Sequence, residues 1–148
     1  MLLRWSVALI LLWHCGALRA QAVCPWLTEG TGAALMAGDV TAHVAEANGE
    51  GTCEFTRAAP AGSLRLSIAI SHLPPKDCPA GERLSGVGQD AVFCSADMGG
   101  EFRATIRGRV RATYFLLTET GKPASASDKA ALRDALEQAA EEVAGSLY

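Results

Sequence analysis

Between Leu64 and Ser71 the chain reads LRLSIAIS, with Leu64, Leu66, Ile68 and Ile70 in strict alternation with Arg65, Ser67, Ala69 and Ser71. A period of two puts the four apolar side chains on one face of an extended strand and the others on the opposite face. Such a strand needs hydrogen-bonded neighbours and an apolar layer over its buried face. Pro74 and Pro75 follow closely and end its pairing, because neither can donate to a ladder.

Two neighbouring stretches supply the partners. VTAHVAE, the turn NGEG and TCEFTR read together as a hairpin. EFRATIRGRVRATYFLLTET reads as a second hairpin whose register can be argued from its pattern. With Arg107, Gly108 and Arg109 as the turn, Ile106 pairs with Val110, Ala104 with Ala112 and Phe102 with Tyr114, and all six share one buried face. Arg103 and Arg111 then point the other way, and Phe115 and Leu117 fall beside them on that second face. The far half of this strand is therefore expected to be covered on both sides and to lie centrally in its sheet.

Helix signals stand at both ends of this β-rich region. Thr28 can cap a short helix through EGTGAALMA that stops at Gly38, with Leu27, Thr31, Ala34 and Leu35 on its inner face and Gly30 and Gly32 weakening it. The C-terminal segment is the stronger helix, capped by Ser125 or Ser127, with Leu132, Ala135, Leu136, Ala139 and Val143 in one apolar stripe. Its other face, carrying Arg133, Glu137, Glu141 and Glu142, reads as solvent-facing charge. The expectation is an α+β fold: a sheet of about six antiparallel strands, a short N-terminal helix and a longer C-terminal one.

The first 22 residues set the compartment. Met1–Arg4 is a basic n-region, Trp5–Leu18 is mostly apolar, and Ala20-Gln21-Ala22 has the small residues of a cleavage site, so residues 1–22 read as a secretory signal peptide. Fourteen residues interrupted by His14 and Cys15 fall short of the roughly 20 needed to span a bilayer, and no small residue precedes Cys15 or Cys24 to make a lipobox. Residues 23–148 are then a single α+β domain, periplasmic or secreted and without a stable membrane anchor. Removal of Arg4 and Arg19 leaves 11 basic against 16 acidic groups, which argues against nucleic acid as a partner.

Cys24, Cys53, Cys78 and Cys94 remain, and an even count in an exported chain reads as two disulfides. Pairing sequence neighbours, Cys24 with Cys53 and Cys78 with Cys94, is preferred, because the second bridge would staple the irregular stretch HLPPKDCPAGERLSGVGQD. No metal site is expected, since there is no C-x-x-C pair and His43 and His72 stand alone.

Gly86, Gly88 and Ala91 match the G-x-G-x-x-A spacing of a dinucleotide fingerprint, but that motif requires a strand before the glycines and a helix after them. Here a loop precedes and the β-prone AVFCS follows, so the glycines read as a turn entering a strand, and no cofactor is expected. Arg103, Arg107, Arg109 and Arg111 could form an anion-binding ridge. Solvated charge that discourages edge pairing is the preferred reading, because no neighbouring segment supplies a pocket. No H-E-x-x-H, no G-x-S-x-G and no paired carboxylates are found, so no catalytic residues are assigned.

The succession CPWLTEGTGAALMAG, CEFTR, an alternating strand, GVGQDAVF, a hairpin and a terminal helix resembles small exported bacterial cell-envelope proteins of unknown function. Among these are actinobacterial lipoproteins with a C-x-L-L-T helix start and a G-x-G-x-x-A turn, although this chain has no lipobox. The resemblance implies an antiparallel sheet packed by helices and brings no catalytic residue. Three functions are carried forward. The favoured one is a non-catalytic secreted or periplasmic binding module for an envelope protein or glycan. The second is an inhibitor of an exported hydrolase acting through the loop 72–83, and the third is an enzyme whose site the sequence does not disclose. On export, intact mass and N-terminal sequencing should show a chain beginning at Val23; a membrane-held product beginning near Met1 would overturn that expectation.

Overall fold

A computed structural model describes residues 23–58 and 62–148; the leader expected over residues 1–22 lies outside them. The chain forms helix α1 (Glu29–Leu35), strands β1 (Thr41–Ala47), β2 (Glu50–Arg57), β3 (Leu64–Ser71), β4 (Glu82–Arg83), β5 (Gln89–Met98), β6 (Glu101–Val110) and β7 (Thr113–Gly121), and helix α2 (Ala126–Ser146). The strands make one antiparallel sheet in the order β1-β2-β3-β7-β6-β5-β4. The fold is α+β as expected, with seven strands rather than six. The additional one is β4, two residues that pair with Val92 and Phe93.

The alternation of β3 is realised as read: Leu64, Leu66, Ile68 and Ile70 are buried. Cross-strand register extends their layer across the sheet, with Cys53 opposite Ile68, Ile68 opposite Leu117, Leu117 opposite Ile106 and Ile106 opposite Phe93. Helix α2 covers this face with Leu136, Ala139, Ala140, Val143 and Ala144. Leu132 and Ala135, expected in the same stripe, are only half-buried. Ser125 caps α2 as foreseen, its hydroxyl accepting from the Asp128 amide at 3.2 Å.

The second hairpin corrects the expected register. Arg107, Gly108 and Arg109 continue β6, and the turn is Arg111-Ala112, so that Val110 pairs with Thr113, Gly108 with Phe115 and Ile106 with Leu117. Phe102, Ala104, Ile106 and Val110 keep the buried face, but Ala112 is exposed in the turn and Tyr114 points to the opposite face. Phe115 and Leu117, expected outside, lie fully buried inside. The reason is steric. A side chain at Gly108 would place its Cβ 2.3 Å from the Phe115 ring, so the glycine admits a cross-strand aromatic rather than making the bend. Arg111 takes the left-handed conformation instead, at φ 55°. As expected, β7 is central.

Helix α1 is capped by Thr28, whose hydroxyl accepts from the Thr31 amide at 3.1 Å. Within it Gly32 is buried, as are Leu27 just before it and Met36 at its C-cap, while Ala34, expected inside, is exposed. Gly32 lets the helix rest on Phe55, whose ring would lie 3.0 Å from a Cβ at that position, so this glycine serves packing. Gly86 and Gly88 adopt φ of +87° and +58° in the turn that leads into β5, as the reading of that stretch anticipated.

One core position breaks the apolar pattern. Glu119 follows Phe115 and Leu117 on the inner face of β7, between Leu66 and Ala104, and is 3% exposed. Its Oε2 is buried without a hydrogen-bond partner. Burial pushes its carboxyl up from an ordinary value of 4.5 to about 7, and the nearby Arg57 guanidinium opposes the rise. The folded protein therefore holds a proton that the unfolded chain releases as pH climbs from 4.5 towards 7. Stability falls through that window and levels off above it, by an amount on the order of 3 kcal/mol. Urea unfolding at pH 5 and pH 8 should show this loss in the natural protein and a much smaller one in Glu119→Gln, which should be the more stable of the two at pH 8. Equal pH dependence in the two proteins would overturn the assignment.

Candidate functional site

The two helices of the described residues pack on the inner face of the sheet, and among those residues only loops lie over the outer face. Along β6 that face presents Arg103, Thr105, Arg107 and Arg109, with alternate residues roughly 7 Å apart. Register places Leu116 and Val92 beside Arg107, and Thr118 and Cys94 beside Thr105. Three of the four arginines singled out from the sequence therefore form a row on one strand. Arg111 is apart from it, in the β6–β7 turn, with its guanidinium 6.0 Å from the Tyr148 ring.

The proline-rich loop after β3 returns over this face. Cys78 bridges to Cys94 on the outer face of β5, with Cα atoms 6.4 Å apart, and Cys24 bridges to Cys53 at 5.8 Å, which is the preferred connectivity. Gly81 lies so close to the strand that a Cβ there would fall 2.1 Å from a Val92 methyl and 3.2 Å from Cys94 Sγ. The loop is thus laid down on the sheet rather than projected from it. Between loop and sheet runs a groove of about 590 Å³, bordered by Pro75, Cys78, Ser95, Arg103, Arg107 and Leu116. The wall that the sequence did not supply for the arginines is the segment Pro75–Pro79, 24 to 34 residues earlier in the chain.

The charges in the groove are unequally committed. Arg107 Nη1 donates to Asp77 Oδ1 at 2.8 Å, and Arg109 Nη2 donates to Asp90 Oδ2 at 3.0 Å. Asp77 is 87% exposed, so it is a weak competitor for the guanidinium it touches. Arg107 Nε is buried without a partner. Arg103 forms no ion pair among the described residues. The groove therefore offers two guanidinium groups, four residues apart along β6, to the oxygens of a carboxylate, sulfate or phosphate, with Thr105 and Thr118 also lining it.

The remaining candidates lie elsewhere. His43 is exposed on edge strand β1, and His72 is exposed at the end of β3. No group of three or more His, Cys, Asp or Glu is placed to hold a metal among the described residues, and none of their helices is long and apolar enough to cross a membrane. Arg133, expected to face solvent with Glu137, also reaches across to β4, donating to both Glu82 carboxylate oxygens at 2.8 and 2.9 Å. That contact holds the Glu82 carboxyl below its usual range. Residues that the sequence reading passed over are Asp77 and the pair Arg57 and Glu119. The expected β7 register set Glu119 on the outer face with Phe115 and Leu117, and the corrected register turns all three inward.

No protein-family profile, curated protein or solved structure matches the chain.

Because the 78–94 bridge holds the loop that walls the groove, replacing Cys78 and Cys94 together by Ser should lower stability by roughly 2 to 4 kcal/mol. Amide exchange should rise first in residues 74–81, with the β3–β7 pairing still protected. Unchanged loop protection would show that the bridge does not hold the wall.

Proposed function

We propose that this chain is a non-catalytic binding module of an exported, oxidising compartment, which holds an anionic group of an envelope protein or glycan in the groove between Pro75–Pro79 and β6. The observation that carries the proposal is the coincidence of Arg103 and Arg107 with a disulfide-held wall, around about 590 Å³ of open volume on a sheet face that no helix of the described residues covers. A row of arginines serving only for solubility would need no such wall. The two bridges accord with an oxidising environment. The leader-like residues 1–22 and the resemblance to exported envelope proteins support periplasmic or secreted residence.

Binding here needs no rearrangement of the core. An incoming carboxylate exchanges with Asp77 at Arg107, and the exposed pair it displaces is worth about 0 to 1 kcal/mol. Arg103, uncommitted, adds attraction that weakens with salt over ~8 to 10 Å. Arg109 lies beyond, next to Tyr114 and Pro74, and extends the positive row towards the β6–β7 turn.

A second reading has one observation in its favour. Leu73 is 76% exposed immediately before Pro74-Pro75, an apolar side chain on a stiff support such as an inhibitor loop would offer to a hydrolase. The two readings part experimentally. Capture from an envelope extract, and titration with a glutamate-rich peptide and an oligogalacturonate, should be weakened about tenfold or more, some 1.4 kcal/mol, by Arg103→Gln with Arg107→Gln. The same interactions should lose strength at high salt and be indifferent to Leu73→Ser. Equal binding by the double variant and the natural protein would remove the groove proposal. Inhibition of secreted proteases or lysozymes that is lost with Leu73→Ser would establish the second reading.

A further inference from the structure

At the opposite face, where α2 begins, the described residues leave the core underfilled. The last inner-face row of the sheet carries Arg57 opposite Leu64, and Gly121 beside Leu64. Gly121 supplies no side chain; a Cβ there would meet Leu64 Cδ1 at 2.7 Å. Above this row α2 contributes Ala131 and Ala135, and Leu132 is its one large apolar side chain. The C-terminal end of α1 closes the side with Leu35 and Met36. The result is a pocket of about 420 Å³, walled mainly by these apolar residues, with Arg57, Lys122 and Asp128 as its charged groups.

The charges at this pocket do not cancel. Asp128 is occupied as part of the α2 cap, accepting from the Ala124 amide at 3.1 Å. Lys122 forms no ion pair among the described residues. Arg57 donates through Nη1 to the Ala37 carbonyl at 3.0 Å, while its Nε is buried without an acceptor. Glu119, one inner-face step along β7 from Gly121, leaves a buried carboxylate oxygen equally unmatched. Arg57 and Lys122, neither in an ion pair among the described residues, on the rim of an apolar cavity describe a site for a molecule with an apolar body and one negative end.

We propose that this pocket binds a single-chain anionic amphiphile, its apolar chain against Leu35, Met36, Leu64 and Leu132 and its head between Arg57 and Lys122. The volume is near the lower end of the roughly 300 to 1,000 Å³ of small-molecule pockets, which suits one short chain rather than a two-chain lipid. Arg57 is drawn at once to the ligand head and to Glu119, so a negative Glu119 opposes the ligand and a neutral one does not. Arg57 from β2 is the charged group that acts on Glu119, and Lys122, just after β7, and Asp128 from α2 line the pocket with it.

Dodecanoate below its micelle concentration is the probe, added to the oxidised, purified protein and followed by calorimetry and by amide shifts. Saturable one-to-one binding is expected, with shift changes centred on residues 35–37, 62–64 and 131–135. Dodecanol should bind at least about tenfold more weakly, and Lys122→Gln should weaken dodecanoate several-fold. Ala131→Trp, at an exposed helix position on the pocket rim, should abolish binding with the thermal melt unchanged. Glu119→Gln should tighten binding at pH 8. Arg103→Gln with Arg107→Gln should leave dodecanoate binding intact, which separates this site from the outer groove. Absence of binding, equal affinity for dodecanol, full binding by Ala131→Trp, or binding to phosphatidylglycerol vesicles without binding to dodecanoate would each overturn the proposal.

Discussion

The fold depends on one row of side chains. Cys53, Ile68, Leu117, Ile106 and Phe93 are successive cross-strand neighbours on five strands, and all are buried on the face under α2. At one end the row is tied to the N-terminal segment through the bridge to Cys24. At the other, Arg133 of α2 lies 4.5 Å over the Phe93 ring while gripping Glu82 of β4. Burial of such side chains stabilises by roughly 1.5 to 3 kcal/mol each. Any strand that slipped by one residue would withdraw its member from the row and put a polar or charged neighbour in its place.

The same parity decides where the arginines go. On β6, Phe102, Ala104, Ile106 and Val110 face inwards, so Arg103, Thr105, Arg107 and Arg109 must face outwards whatever their own preferences. Core and groove are therefore two consequences of one register. The β6 half of the pattern was legible from alternation alone. The β7 half was not, because the arginines flanking Gly108 imitate a turn. Only the Phe115 ring, which occupies the space over that glycine, distinguishes a packing glycine from a bending one. The contact joins residues seven apart and exists only once the register is chosen, so sequence pattern could not supply it.

Local signals read correctly for the same reason that long-range ones failed. The caps at Thr28 and Ser125, the positive φ at Gly86 and Gly88, and the β3 alternation are each determined within a few residues. The pairing of cysteines with their sequence neighbours also proved sufficient for the disulfides. By contrast, β4 has two residues and no periodicity, and it is recruited by Glu82 to Arg133 across 51 positions. The groove wall and the pocket likewise combine segments that no local pattern connects.

An unmatched carboxyl in the core and an underfilled pocket beside it are both destabilising, and a domain with this little inner face has small reserves against them. The ionised Glu119 alone weighs on the order of 3 kcal/mol near neutral pH. A bridge spanning 29 positions and another spanning 16 each offset a comparable amount, roughly 3 kcal/mol in the chain-entropy account. Their placement sharpens the point. Cys53 is two residues from Phe55 and four from Arg57 on the same inner face, so the first bridge anchors the strand that borders the pocket. Cys94 lies under the loop that walls the groove, so the second bridge holds the opposite site. Each bridge thus restrains an element that borders one of the two openings, β2 beside the pocket and the proline-rich loop over the groove.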